Sequence, residues 1–358
     1  MAHALALGRR GLGRVAPWPS VGCVIVRDGR IVGRGTSDPK TLRHAEIVAL
    51  DQAAEAAKDA TVYVTLEPCS HQGRTPPCAD ALIKAGVARV VVATSDPNPL
   101  VAGKGLEKLR SAGIDVVTGV CEAEACADQA GFLSVHTRGR PTLTLKLATT
   151  LDGRIATATG ESQWITGPEA RRKVHSLRAS HDCVMVGGGT ARADNPSLTV
   201  RDADTSAQPV RLVVSRRLSL PWPSKLVETT GQSPVWIVHG DGDADPADMK
   251  RWREAGAKLL PVPAQTGQIN LTVLLTTLAD EGLTRVFCEG GGAFAASLLA
   301  AGLVDDLIVF TAGKVFGAEG QPGIGALGVS QLANAPVFDL VETARFGADV
   351  MHHWRARA

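Results

Sequence analysis

The chain has 358 residues, room for two domains of about 150 residues rather than one. It is 44% hydrophobic and 21% charged, ordinary globular usage that disfavours a disordered or fibrous protein. With 38 Lys and Arg against 36 Asp and Glu its formal charge is +2, whereas a nucleic-acid binder usually carries a basic excess or stripe. Near the N-terminus, the apolar run Ala4-Leu5-Ala6-Leu7 is too short for a secretion signal. No uninterrupted apolar stretch approaches the ~20 residues of a membrane-spanning helix. Residues 21–26, 61–66 and 89–93 are short runs rich in β-branched residues and are predicted strands. Between them, Glu46 to Ala57 and Ala79 to Ala85 have helical spacing, the second closed by Gly86. A further strand over Ile114 to Val117 follows Gly113, and the alternation predicts an α/β layer.

The polar run Thr137-Arg138-Gly139-Arg140-Pro141 breaks this pattern and predicts a boundary near residue 140, giving domains 1–140 and 141–358. Beyond it, strands are predicted over Thr142 to Ala148, Cys183 to Val186, Val210 to Val214, Val235 to Val238, Arg285 to Cys288 and Leu307 to Phe310. Residues 241–248 are acidic and read as a surface loop, and His352-His353 as a frayed end or strand edge. Seven cysteines, an odd number, do not make a disulfide framework and point to a reducing, cytoplasmic setting. Cys23 and Cys183 fall on predicted strands and are expected in the core, while Cys121 and Cys126 have no evident ligand set.

The first half carries His44-Ala45-Glu46, then Pro68-Cys69 and Pro77-Cys78. His44, Cys69 and Cys78 make three zinc ligands, leaving the fourth tetrahedral position open as a catalytic site requires. Each is expected at the start of a helix, where thiolate is favoured. Zinc deaminases carry H-x-E and a Pro-Cys pattern, with the Glu moving protons rather than binding metal. Here eight residues separate the two cysteines instead of two. Residues i and i+2 of a regular helix point about 200° apart, so the first turn must aim His44 and Glu46 inward together. Two plainer readings stand beside this one: two buried thiols with a surface triplet, and a structural zinc taking His71 as its fourth ligand.

The second half has two glycine-rich strand-to-helix turns, Val186-Gly187-Gly188-Gly189-Thr190 and Cys288-Glu289-Gly290-Gly291-Gly292. Such turns admit a phosphate to backbone N–H groups at a helix start. Neither reads G-x-G-x-x-G, and a tight turn alone accounts for glycines of this kind.

PCSHQGRTPPC followed by GVARVVVATSDPNPLVAGKG resembles the bifunctional deaminase–reductases of riboflavin biosynthesis. LKLATTLDGRIA, GESQWITGPEARRKVHSLRA, VGGGTARADNPSLTVR and EGGGAFAASLLAAGLVDDL extend the resemblance, in the family's order, over nearly the whole chain. It implies a cytidine-deaminase-like α/β/α domain followed by a dihydrofolate-reductase-like α/β domain. It implies one zinc per chain on His44, Cys69 and Cys78, with Glu46 as proton donor and His71 and Arg74 on the substrate side. Hydrolytic deamination of a diaminopyrimidinone ribose phosphate would precede NADPH-dependent reduction of its ribosyl chain to ribityl. Ser162, Arg178, Leu198, Arg201 and Glu289 would line the ribose phosphate, and Lys146 would hold its hydroxyls. Ala148, Trp164, Thr190, Asp194 and the run Gly291, Gly292, Ala293, Phe294, Ala295, Ala296 and Ser297 would face NADPH. Arg178 and Arg201 suit a phosphate by their forked donors, with surface pairing as the alternative. Asp194 is a candidate for positioning or proton transfer, or simply caps a turn.

Two departures from the family stand out. Pro17-Trp18-Pro19 replaces an Asn between the prolines, and Ser215-Arg216-Arg217 replaces an Asp-Ser pair after the strand ending at Val214. Trp18 offers one hydrogen-bond donor and no acceptor, which raises the alternative of a reductase with a weakened deaminase half. Arg216 near an adenosine ribose would favour the 2′-phosphate of NADPH. A third reading is a deaminase of RNA or free nucleosides with a binding module behind it. The expected partners are small pyrimidine ribose phosphates, with no nucleic acid and no membrane, and the family implies a homo-oligomer.

Overall fold

The computed structural model describes residues 1–71, 76–98, 101–201, 207–265 and 267–357. The chain divides into two units, Met1–Arg140 and Pro141–Ala358.

In the first unit, β1 (Gly22–Arg27), β2 (Arg30–Thr36), β3 (Thr61–Leu66), β4 (Arg89–Thr94) and β5 (Asp115–Thr118) form one sheet in the order β2-β1-β3-β4-β5. β3, β4 and β5 are parallel, and β1 is antiparallel to both of its neighbours. Among the described residues, it is accompanied by the helices α1 (Ala2–Arg9), α2 (Ala45–Ala53), α3 (Cys78–Lys84), α4 (Lys104–Ser111), α5 (Glu122–Asp128) and α6 (Ala130–Arg138). Alternation along the strands sorts their side chains onto two faces. Cys23, Ile25, Val62 and Val64 pack with Ala45, Ala49 and Ala53 of α2, whereas Val24, Val26 and Tyr63 pack with Ala4 and Leu7 of α1. Glycine sets how closely these helices lie. A Cβ on Gly35 would overlap the carbonyl of Ala45, and one on Gly22 the carbonyl of Ala4. The predicted helix over Glu46 to Ala57 stops at Ala53, because Ala54 takes φ 47° and a 3-10 turn completes the run. β2 was not predicted; its Gly33 and Gly35 let α2 rest on the strand.

The second unit is built on a nine-stranded sheet. Its strands are β6 (Thr142–Thr150), β7 (Cys183–Gly187), β8 (Val210–Val214), β9 (Val235–Gly240), β10 (Lys258–Val262), β11 (Arg285–Cys288), β12 (Asp306–Ala312), β13 (Phe338–Phe346) and β14 (Asp349–Ala356). The order is β10-β9-β8-β7-β11-β6-β12-β14-β13, parallel from β10 to β12 and closed by the antiparallel hairpin β13–β14. Parallel strands covered on both faces read as continuous apolar runs. Leu143, Leu145, Met185, Leu212 and Val238 fill one core, and Val184, Val186, Val213 and Ile237 join Trp252 in another. Around the sheet lie α7 (Pro168–Ala179), α8 (Gly188–Asp194), α9 (Pro246–Glu254), α10 (Leu271–Asp280) and α11 (Gly292–Ala300). Asp245 caps α9 by accepting from Ala247 N–H, and Asn270 caps α10 by accepting from Val273 N–H. The acidic run 241–248 is therefore only partly loop, since α9 starts inside it. His352 and His353 lie within β14, where His353 Nε2 is 2.8 Å from Asp306 Oδ1. Among the described residues no helix is long and apolar enough to cross a membrane.

Candidate functional sites

The first centre forms where α2 and α3 begin. His44 is the residue before α2 and keeps an extended backbone (φ −71°, ψ 150°), while Glu46 lies inside the first turn. The 200° separation of a regular helix therefore does not apply to this pair. Cys78 opens α3. Cys69 corrects the expectation that every ligand starts a helix: it lies in the segment after β3. The first N–H of α3, that of Cys78, points at its sulfur over 3.3 Å, supplying the positive helix end from outside.

His44 Nδ1 is 3.1 Å from Cys78 Sγ and 3.6 Å from Cys69 Sγ, and the three donor atoms lie within 4.8 Å of one another. One imidazole nitrogen and two sulfurs at this spacing fit a zinc ion. Among the described residues no fourth ligand completes the group, and His71 is exposed outside it. Hydrogen bonding from the Cys78 thiol draws the Cys69 thiol well below its ordinary value, and Cys78 is raised in turn. Glu46 is 3% exposed, and burial pushes its carboxyl up to about 7 against the pull of His44. A carboxyl held near neutrality can both accept and release a proton. Arg74 lies outside the described residues. Trp18 is half-exposed, its backbone N–H donating to Val15 O at 2.9 Å.

Sequence reasoning missed Glu67. This buried carboxylate accepts N–H groups from Gly103 and Gly105, each at 3.1 Å, and so ties the segment leading to Cys69 to the start of α4. Its signal was its place, immediately before Pro68-Cys69.

The second centre is a cavity of about 1500 Å³ along the carboxyl ends of the parallel strands in the second unit. Open α/β sheets bind ligands at such strand ends. The two glycine turns meet there: β7 and β11 are neighbours, and Gly291 N–H donates to Thr190 Oγ1 at 3.0 Å. A Cβ on Gly292 would overlap the carbonyl of Pro322, so glycine here lets the 321–323 segment lie against the turn, whereas the space beside Gly189 is open. Glycine turns with N–H groups at helix starts fit the pyrophosphate of a dinucleotide such as NADPH.

Lys146 on β6 has its Nζ 3.8 Å from Glu289 Oε2, just beyond β11. Arg178, in the last turn of α7, donates from Nε and Nη2 to the two Glu289 oxygens and from Nη1 to Thr199 O. The carboxylate drops to about 2: burial opposes the shift, and Arg178 and Lys146 outweigh it. Burial lowers Lys146. The guanidinium expected to hold a phosphate is thus already engaged by protein acceptors on all three nitrogens.

Ser162, Leu198 and Arg201 also line the cavity, as do Ala148, Trp164, Thr190 and Asp194. Trp164 is 60% exposed, with the Arg171 guanidinium 4.9 Å from its ring centre. Partial desolvation raises the Asp194 carboxyl. Along α11 the expected run splits by helical periodicity. Gly291, Gly292, Ala293, Phe294 and Ser297 line the cavity, but Ala295 and Ala296 are buried away from it. Two supporting residues were missed. The wholly buried Arg211 donates to Ser197 O, Thr229 Oγ1, Thr229 O and Ser233 O, fixing the stretch before Leu198. His175 Nδ1 accepts the N–H of Arg201 at 3.1 Å. Arg211 was hidden in a strand pattern, and His175 in the amphipathic pattern of α7.

Two family models match the chain. The cytidine and deoxycytidylate deaminase zinc-binding region covers residues 1–94, and the RibD C-terminal domain covers residues 141–352. The riboflavin biosynthesis protein RibD of Escherichia coli is 44% identical, over 99% of this chain and 97% of that protein. RibD of Aquifex aeolicus is 42% identical, over 98% of this chain and 96% of that one. Among solved structures, Acinetobacter baumannii RibD superposes with a TM-score of 0.89 at 38% identity, covering 100% of this chain and 98% of that one. A Thermotoga maritima diaminohydroxyphosphoribosylaminopyrimidine deaminase/5-amino-6-(5-phosphoribosylamino)uracil reductase gives 0.87 at 33% identity, covering 100% of this chain and 97% of that one. A cytidine-deaminase-like unit is followed by a dihydrofolate-reductase-like one, and the chain belongs to the RibD family of riboflavin-biosynthesis proteins.

Proposed function

We propose that the two centres divide the work of a bifunctional riboflavin-biosynthesis enzyme between residues 1–140 and 141–358. The first deaminates a diaminopyrimidinone ribose phosphate, and the second reduces the ribosyl chain of the deaminated product. One observation carries the reading: a three-ligand set beside a buried carboxyl, and a charged cavity joined to two glycine turns, occur in one chain.

In the first centre, His44 Nδ1 and the sulfurs of Cys69 and Cys78 hold one zinc ion. Zinc bound there supplies the Lewis acidity that makes water nucleophilic at neutral pH. Glu46 would accept a proton from the attacking water and release one to the departing ammonia, a task suited to a carboxyl near 7. His71 is assigned to the substrate side, as the resemblance implies. The assembled set leaves the reading of a silenced deaminase, raised by Trp18, without support.

In the second centre, NADPH supplies the hydride. The Gly291–Gly292 turn and Thr190 receive its phosphates, with Ala148, Trp164, Asp194, Ala293, Phe294 and Ser297 along its length. Lys146 holds the sugar hydroxyls, and Glu289 keeps Lys146 and Arg178 in place. Arg201, Ser162 and Leu198 bound the substrate's ribose phosphate, Arg201 supplying the exposed guanidinium. In this reading the protein works in the cytoplasm as a homo-oligomer, with no nucleic acid or membrane partner.

The test is a coupled assay with metal analysis on the same sample. About one zinc per chain, with ammonia released before NADPH is consumed, is the expected result. NADPH oxidation without ammonia release from the diamino substrate would overturn the deaminase half.

A further inference from the structure

We propose that Arg216, held from behind by Asp243, selects the 2′-phosphate of NADPH over the 2′-hydroxyl of NADH. The proposal rests on the NADPH reading above and names a specificity residue within it.

Position comes first. Arg216 follows β8 and lines the same cavity as Lys146 of β6. The sheet order β8-β7-β11-β6 puts three strand steps between them. At roughly 4.8 Å per step, that is about 14 Å, the span of an extended dinucleotide. The two glycine turns follow the intervening strands, β7 and β11, and the space beside Gly189 is open. With the nicotinamide toward Lys146 and the pyrophosphate at those turns, the adenosine ribose reaches the end of β8.

Arg216 is also built into place. Its carbonyl accepts the N–H of Gly240 at 2.8 Å, and its side chain passes over that glycine to Asp243. A Cβ on Gly240 would stand 2.9 Å from Arg216 Cγ and would overlap the Asp243 carboxylate, so the pair needs glycine beneath it. Nη1 donates to Asp243 Oδ1 at 3.0 Å. Nε and Nη2 have no partner among the described residues, and these two donors form the edge that grips a phosphate bidentately. Arg192 is engaged elsewhere, its Nη1 donating to Ser219 O at 2.9 Å. The place of a Cβ on Gly188 lies 3.1 Å from both Arg192 Nη1 and the Ser215 hydroxyl. A site for NADH instead turns a carboxylate to the ribose hydroxyls. Here Asp243 is turned to Arg216.

The full chain is titrated calorimetrically with NADP⁺ and NAD⁺, then with 2′,5′-ADP and 5′-AMP, which differ only in the 2′-phosphate. Arg216→Ala should weaken NADP⁺ and 2′,5′-ADP about ten- to hundredfold, the worth of a charged hydrogen-bond pair. NAD⁺ and 5′-AMP should hold within about twofold. Arg216→Lys should fall between, since it keeps the charge and loses the fork. Arg217→Ala removes the same charge from an exposed neighbour outside the cavity lining and should change neither pair of ligands. Equal weakening of both cofactors, or an unchanged preference in Arg216→Ala, overturns the proposal and leaves the reductase reading standing. Wild-type protein that binds neither cofactor overturns both.

Discussion

The two centres meet charge in opposite ways. In the first unit, two sulfurs and the Glu46 carboxyl are packed around one imidazole, with Glu46 and Cys78 raised and Cys69 lowered. In the second, Lys146 and Arg178 flank a single carboxylate, Glu289, which stays ionised. The first centre is completed by a cation and the second by anions. A site closed by one ion fails in one step when a ligand is lost, whereas a cavity bounded by many residues weakens by degrees.

The largest effect belongs to Cys78→Ser. Serine keeps the size but not the thiolate, so zinc content should collapse and ammonia release should fall by at least about a thousandfold. NADPH oxidation with the deaminated intermediate should be unchanged, and a parallel loss of both activities would show that the centres are not separable. Glu46→Gln comes next. The amide neither accepts nor delivers the proton, so deamination should fall by about 10²–10⁴ while metal analysis still finds the zinc.

Glu289→Gln tests the other side. It leaves two cations facing each other across a neutral amide, and Lys146 loses the partner that holds its pKa up. Breaking a buried pair costs about 3 kcal/mol, or on the order of a hundredfold in NADPH oxidation if it falls on the reaction. Single-turnover hydride transfer and denaturant unfolding together show how that cost divides. Deamination should be unaffected, and reductase kinetics like the wild type's would remove Glu289 from the site.

The same contrast governs what could be read from the chain. The first centre is made of residues within a short span, His44 to Cys78, whose types dictate their chemistry. Its geometry was harder to foresee, because the extended backbone at His44 and the loop position of Cys69 are products of packing on Gly35 and the end of β3. The second centre draws on strand ends from Lys146 to Glu289, and no local pattern says that Thr190 will meet Gly291. Strands with two buried faces announced themselves as apolar runs, so most of the second sheet was legible. The hairpin β13–β14 was not, since its outer strand is largely exposed and lacks a core-facing run. Ala295 and Ala296 show a different limit: a contiguous run carried over by resemblance cannot say which side of α11 faces the ligand.

The smallest predicted effect is a pH dependence of the second unit, carried by His181. Its ring is buried, with Nδ1 2.7 Å from Leu177 O and Nε2 3.0 Å from Thr144 Oγ1. The carbonyl can only accept, so Nδ1 carries the proton and Nε2 accepts from the hydroxyl in the neutral ring. Burial, with Arg285 adding repulsion, pushes the imidazole from 6.5 down to about 3. Between those values the unfolded chain binds a proton that the folded one refuses, so stability rises with pH there and is lost on acidification. The loss should be about 2 kcal/mol between pH 6.5 and 5, before Asp182, raised by burial, works in the opposite sense nearer the carboxylate range. Five of the six tryptophans lie beyond residue 140, so fluorescence-monitored urea unfolding reports chiefly on this unit. His181→Gln should lower stability at neutral pH and flatten the slope. A wild-type midpoint that stays level across that interval would mean that another group takes up the proton in the folded unit, and that the buried imidazole is not what sets its acid limit.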